Sequence, residues 1–128
     1  MTPILLTHPD CLIHEMPRHP ERPDRLRSVL ATLRERGLTS EMNQGLASEI
    51  SLDLIEQVHP RRYIDDVLSF EPLEGVAKFE RDTYMNPGSS RAARLSAGAV
   101  AEATSRVLAG ESNRAFCAIR PPGHHAEI

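Results

Sequence analysis

Two histidines, His124 and His125, stand side by side behind Arg120-Pro121-Pro122-Gly123. Imidazole titrates near neutrality and can accept a proton, donate one or bind a metal. The pair is therefore suited to general acid–base work. The stretch in front of it looks built to place it. Ala115 to Ile119 is an apolar run of strand length. Pro121 and Pro122 lack an N–H and hold φ at about −65°. Pro121 also biases Arg120 towards extended backbone. Gly123 permits a backbone angle or a close approach that a side chain would block. The carboxyl end of a strand is where open α/β sheets carry ligands and chemistry. Adjacent histidines are also an ordinary surface feature, and spacing alone leaves both roles open.

The other candidate ligands are less pointed. His8, His14 and His19 fit neither HxxxH nor HExxH, so no independent metal site is expected there. Cys11 and Cys117 are the only cysteines, far apart and without a CxxC. They read as buried free thiols in a reducing cytoplasm.

The elements that would position the histidines follow from periodicity. Ile4 to Leu6 suits a short buried parallel strand, with a Pro- and His-rich loop from His8 to Pro20 at its end. Leu26, Val29, Leu30 and Leu33 form one stripe of a helix over about 21–36, stopped by Gly37. Asn43 to Glu49 is weakly patterned. Ser51 suits the cap of a short helix over Leu52 to Val58. Pro60 opens another helix, with Tyr63, Ile64, Val67 and Leu68 on its buried side. Glu71 to Gly88 reads as mostly loop. Ser89 or Ser90 then caps a long helix, rich in small residues, ending near Gly110. Ala115 to Ile119 is the second strand. Strands alternating with helices imply an α/β layer fold, although two strands alone make no stable open sheet.

Composition bounds the rest. The 128 residues are 40% apolar, enough for one domain with a core that is aliphatic and Ala-rich. The net charge is −3, from 15 basic and 18 acidic residues, and the arginines are scattered. That is no footprint for nucleic acid. The first residues do not read as a signal peptide, and no stretch has the length of a membrane span.

Arg120 to Glu127, RPPGHHAE, resembles the tandem-histidine motif of the zinc-dependent histone deacetylase superfamily, which includes acetylpolyamine amidohydrolases and acetoin-utilisation proteins. His19-Pro20-Glu21-Arg22-Pro23-Asp24-Arg25 resembles the HPExPxR motif of that superfamily. Val58 to Ile64 resembles its VHxxxYI stretch. Asp82-Thr83 through Asn86-Pro87-Gly88-Ser89, with Ala92-Ala93 and Ala97-Gly98-Ala99-Val100, resembles the loop and helix before its histidines. The resemblance covers the whole chain and only the amino-terminal part of the family's catalytic domain, so residues 1–128 are expected to be a piece of a single such domain.

The resemblance implies a partial arginase/deacetylase fold, with parallel strands flanked by helices. It implies hydrolysis of an N-acetyl amide, of the acetyl-lysine or acetylpolyamine type, to acetate and an amine. His124 and His125 take the catalytic positions, His125 as the principal proton-transfer group and His124 in a more electrostatic role. Asp82 matches a substrate-binding residue on the rim, with Gly123 beside the substrate, and Arg25 matches the arginine of the acetate channel. On the residues alone, Asp82 also suits a plain turn and Arg25 an ordinary ion pair. His19, Pro20 and Glu21 are expected to be architectural. The implied cofactor is zinc, but the family's ligands, two aspartates and a histidine, lie in motifs beyond the tandem histidines, and this chain holds no metal ligand. By itself the chain is therefore expected to be inactive, cytoplasmic, free of nucleic acid and membrane, and prone to self-association. The alternative is a truncated, non-catalytic interaction or dimerisation module with the same partial fold.

Overall fold

The computed structural model describes residues 1–124. Three short strands, β1 (Ile4–Thr7), β2 (Asn43–Leu46) and β5 (Ala115–Ala118), form a parallel sheet in the order β2-β1-β5. Strand β1 is central and its Ile4, Leu5 and Leu6 are all buried, the continuous apolar run expected of a parallel strand covered on both faces. Its register pairs Ile4 with Ala115 and Thr7 with Ala118. Because the strands run parallel and in step, the loops that follow Thr7 and Ala118 leave the sheet side by side.

Helix α1 (Pro23–Glu35) starts with Pro23 in its first turn and buries Leu26, with Leu30 and Leu33 packed beside it. Gly37, at φ +70°, follows the helix end in the left-handed conformation. Helix α4 (Ser89–Leu108) buries Ala92, Leu95, Ala99 and Ala103 along one stripe. The thiol of Cys117 points to α4 and donates to the carbonyl of Ala99 at 3.6 Å. Phe116, Cys117 and Ala118 also line a cleft with Leu26 and Val29 of α1. Strand β5 thus packs against both α1 and α4. Gly98 lets α4 lie directly on the backbone of Ser48 to Ile50, where a Cβ would run into the Ser48 carbonyl.

Several expectations need correction. Asn43–Leu46 is a third parallel strand; its polar, half-exposed residues carry no apolar period because it lies at the sheet's edge. Residues 71–88 are mostly loop, as expected, but also hold an antiparallel hairpin, β3 (Ala77–Glu80) with β4 (Thr83–Met85). The register slips between Lys78 and Glu80, which breaks the alternation that would have announced it. In α3 (Arg61–Phe70) only Ile64 is buried, and Tyr63 is 46% exposed. The apolar run at 115–119 suggests a buried strand, but in β5 Phe116 is 43% exposed. The short helix α2 (Leu52–Ile55) ends earlier than expected, although Ser51 does cap it, its hydroxyl accepting from the Leu54 N–H at 3.2 Å. Neither Ser89 nor Ser90 caps α4 through its side chain. Gly88, at φ +99°, takes the cap position, and the carboxylate of Glu71 accepts from the Ser90 N–H at 2.7 Å. An anion there suits both the open amides and the helix dipole.

Candidate active site

The His8–Pro20 loop and the Arg120 segment emerge together at the carboxyl end of the sheet, and a network of polar side chains joins them. At its centre is Arg120, 2% exposed. Its Nε donates to Glu21 Oε1 at 3.1 Å and its Nη2 to Glu21 Oε2 at 2.9 Å. Its Nη1 donates to the carbonyl of Cys11 at 2.8 Å. Burial alone would raise the Glu21 pKa, but the hydrogen bond and charge of Arg120, helped by His14 and Arg25, hold it below the usual value of 4.5.

Glu21 is itself held. Its N–H donates to His19 Nδ1 at 3.0 Å. That makes Nδ1 the acceptor and leaves the proton on Nε2, which lies 2.9 Å from Asp82 Oδ1. Asp82 sits between β3 and β4, its side chain 83% exposed.

A second network fixes the far end of the loop. The Ser89 hydroxyl donates to Asn86 Oδ1 at 2.7 Å and accepts from the Asn86 N–H at 2.8 Å. His14 Nδ1 lies 2.7 Å from the same oxygen. With the hydroxyl proton already used, His14 Nδ1 carries the hydrogen of that contact. Asn86 Nδ2 in turn donates to the Ile13 carbonyl at 2.9 Å. Burial, then the charge of Arg120, pushes the His14 pKa below its ordinary 6.5, so the buried ring is neutral near pH 7.

The expected site residues fall as follows. His124 is exposed, four residues past the buried Arg120 and one past Gly123. His125 lies outside the described residues. Gly123 does not have a positive φ, and among the described residues nothing lies within 4 Å of a Cβ built on it, so neither reason given for a glycine operates here. Arg25 is on the exposed side of α1, its side chain 61% exposed, where Nη1 donates to Glu21 Oε1 at 3.3 Å. It borders a cavity of about 120 Å³ shared with Glu21, Leu26, Val29, Phe116 and Arg120. The side chains of His8, His14 and His19 go to separate partners: His8 Nδ1 accepts from the Asp10 N–H at 3.0 Å, His14 meets Ser89 and His19 meets Asp82. Cys11 is buried and Cys117 partly so; both are free, and burial pushes both thiols up. Among the described residues no three His, Cys, Asp or Glu side chains converge as a metal site, so these residues do not form the donor set a resident zinc requires.

Arg120, Glu21, His14 and Ser89 were not singled out as site residues from the sequence. The available signal was an arginine set at the end of an apolar run, before two prolines. Such a residue lies beneath the loops at the strand's carboxyl end and, once buried, must find an anion there.

Comparison with known proteins gives the family. Residues 19–128 match the family model of the histone deacetylase domain. The chain is 37% identical over 125 residues to histone deacetylase 15 of Arabidopsis thaliana, covering 97% of this chain and 22% of that protein. It is 36% identical over 107 residues to a histone deacetylase-like amidohydrolase of Pseudomonas aeruginosa, covering 84% and 28%. It is 33% identical over 131 residues to the human polyamine deacetylase HDAC10, covering 98% and 18%. The crystal structure of the HDA15 HD domain superposes with a TM-score of 0.92 at 34% identity, covering 98% of this chain and 36% of that one. The chain belongs to the histone deacetylase domain family, and it has that family's α/β fold. It spans about a fifth to a quarter of the length of these relatives, 22%, 28% and 18%.

Proposed function

We propose that residues 1–128 are the amino-terminal part of one deacetylase catalytic domain that cleaves N-acetyl amides of the acetyl-lysine or acetylpolyamine type. The observation that carries this is the family match running through the tandem histidines, together with the exposed place of His124 beyond β5. In the proposed reaction the oxygen of water bonds to the acetyl carbon, the C–N bond breaks, and acetate and an amine leave. His125 takes the proton from water and passes it to the amine nitrogen, and His124 supports the charge that develops. Asp82 binds substrate N–H groups at the rim, Gly123 lies against the substrate, and Arg25 grips the departing acetate.

Zinc is the proposed cofactor of the whole protein, held by residues other than those described. On this reading the 128-residue chain by itself does not turn over. We place the protein in the cytoplasm, without nucleic-acid or membrane partners; among the described residues no helix is long and apolar enough to cross a membrane. Each outer strand of the sheet, β2 and β5, pairs on one side only among the described residues, which favours self-association of the isolated chain. Light scattering that returns a clean monomer at high concentration would count against that last point.

The test of the function is an acyl-substrate panel on the full-length protein, with and without a chelator. Chelator-sensitive release of acetate from acetyl-lysine peptides or acetylpolyamines is the expected result. Turnover of neither class, or turnover indifferent to the chelator, overturns it.

A further inference from the structure

We propose that Glu21 is a positioning residue for the tandem-histidine loop: its carboxylate, locked onto Arg120, sets where and at what angle that loop leaves β5. The proposal rests on the deacetylase reading above, and it assigns to Glu21 a role in the chemistry rather than in the architecture alone.

The geometry is that of a root gripped from several sides. Arg120 is the second residue past β5. A guanidinium held by both Glu21 oxygens, at 3.1 and 2.9 Å, has one allowed plane. Its third contact, to the Cys11 carbonyl at 2.8 Å, fixes its depth. The next residue is fastened too, from α4: Ser96 donates its hydroxyl to the Pro121 carbonyl at 2.8 Å. Two consecutive residues are thus held by the loop before α1, the turn after β1, and α4. Only Pro122 and Gly123 separate them from His124.

Glu21 is the member of this set that needs its charge. A buried ion pair adds little net stability over an apolar pair of similar volume, so what it supplies best is direction. Glu21 is also prevented from following Arg120 into another pose. Its own amide is tied to His19, and α1 begins two residues later at Pro23. Arg25 touches the same carboxylate but is largely in solvent and cannot replace Arg120 as its partner. Proton transfer requires the base within hydrogen-bond reach of the reacting oxygen, and displacement by about 1 Å costs on the order of 10²-fold. A shift at Arg120 reaches His124 over a short, stiff lever.

The test uses Glu21→Gln in the full-length protein, which keeps the shape and removes the charge. The expected result is a fall in kcat of roughly 10- to 100-fold with KM changed less than about twofold, unchanged metal content, a thermal midpoint lowered because buried Arg120 loses its counter-charge, and, well below that midpoint, displaced imidazole signals of His124 and His125 in ¹H–¹⁵N spectra. Glu21→Asp is expected to recover part of kcat. A folded Glu21→Gln protein with wild-type kcat and undisplaced imidazole signals overturns the proposal. Should that variant not fold, the paired Glu21→Leu/Arg120→Met variant takes its place, because removing both charges spares the fold; wild-type kcat there is equally fatal. If the unmutated protein deacetylates nothing, the deacetylase reading fails, and the imidazole signals alone then decide whether Glu21 positions the loop.

Discussion

His19 donates from Nε2 to the Asp82 carboxylate at 2.9 Å, across 63 positions of sequence. The direction of that bond is set from behind, because the Glu21 N–H occupies Nδ1. A carboxylate that is 83% exposed thus owes its place to a ring held by the segment that also holds Arg120. The exposed rim and the buried root of the histidine loop share one support, residues 19–21.

Asp82→Asn should separate binding from stability. The group is at the surface, so the thermal midpoint should move little, by an amount worth within about 0.5 kcal/mol. If Asp82 accepts from substrate N–H groups, KM of the full-length protein should rise several-fold with kcat nearly unchanged. Steady-state kinetics on an acetylated peptide series checks this. An unchanged KM would leave Asp82 only its structural bond to His19.

Acid should destabilise the protein in two stages. His14 is held neutral, its pKa below 6.5 in the folded chain. As pH falls below about 6.5 the unfolded chain takes up a proton that the folded chain refuses, so stability drops. Glu21 is depressed from 4.5; its contribution is present above that value and is lost as pH falls through the lower folded pKa. Thermal midpoints measured between pH 8 and 3, on the order of half a unit apart, should show both limbs. His14→Asn, which keeps a donor for Ser89, should flatten the upper limb and leave the lower one. A profile identical to wild type would place the acid sensitivity elsewhere.

Gly98→Ala should be destabilising although Ala is the better helix former by about 1 kcal/mol. The added methyl would meet backbone, the carbonyl of Ser48 and the amide of Ile50, and backbone cannot swing aside as a side chain can. Ile50 N–H is also bonded to the Arg94 carbonyl at 3.0 Å, so the segment after β2 would have to detach from α4. Overpacking of this kind costs about 1–3 kcal/mol, so a net loss is expected after the helix gain is set against it. Urea titration at matched m-values measures it; a neutral or stabilised variant would mean that the 48–50 segment yields easily.

The periodic elements were legible in the sequence, and the polar ones were not. Leu26, Leu30 and Leu33 gave α1, and the run before Arg120 gave β5, because burial writes a period into apolar side chains. Strand β2 was missed because at the sheet's edge Asn43-Gln44-Gly45 is held by backbone ladder bonds, which leave no mark on side-chain choice. The β3–β4 hairpin was missed because its register slips between Lys78 and Glu80. The tandem histidines and Asp82 were singled out through motif likeness alone; of these, the structure ties Asp82 to His19, and His125 lies outside the described residues. The Glu21–Arg120 pair was not read as a pair, because its partners lie 99 residues apart and only the parallel register of β1 and β5 brings their loops together. Arg25 and Arg120 are alike in one dimension; three-dimensional burial alone distinguishes the ion pair at the surface from the one in the core.

The two histidines should differ in what their loss does. In the full-length protein His125→Ala should lower kcat by about 10²- to 10⁴-fold, the usual worth of a general acid–base group, while zinc content stays at the wild-type level. His124→Ala should cost less at the pH optimum, since its proposed role is to support charge rather than to carry the proton. The pH profile tells the roles apart. Removing the base should abolish the ascending limb of the rate, and removing its neighbour should displace that limb without erasing it. Zinc lost from His125→Ala, measured by metal analysis of the purified variant, would make that residue a ligand and not a base. Turnover unchanged in His125→Ala would move the proton-transfer role to another group altogether.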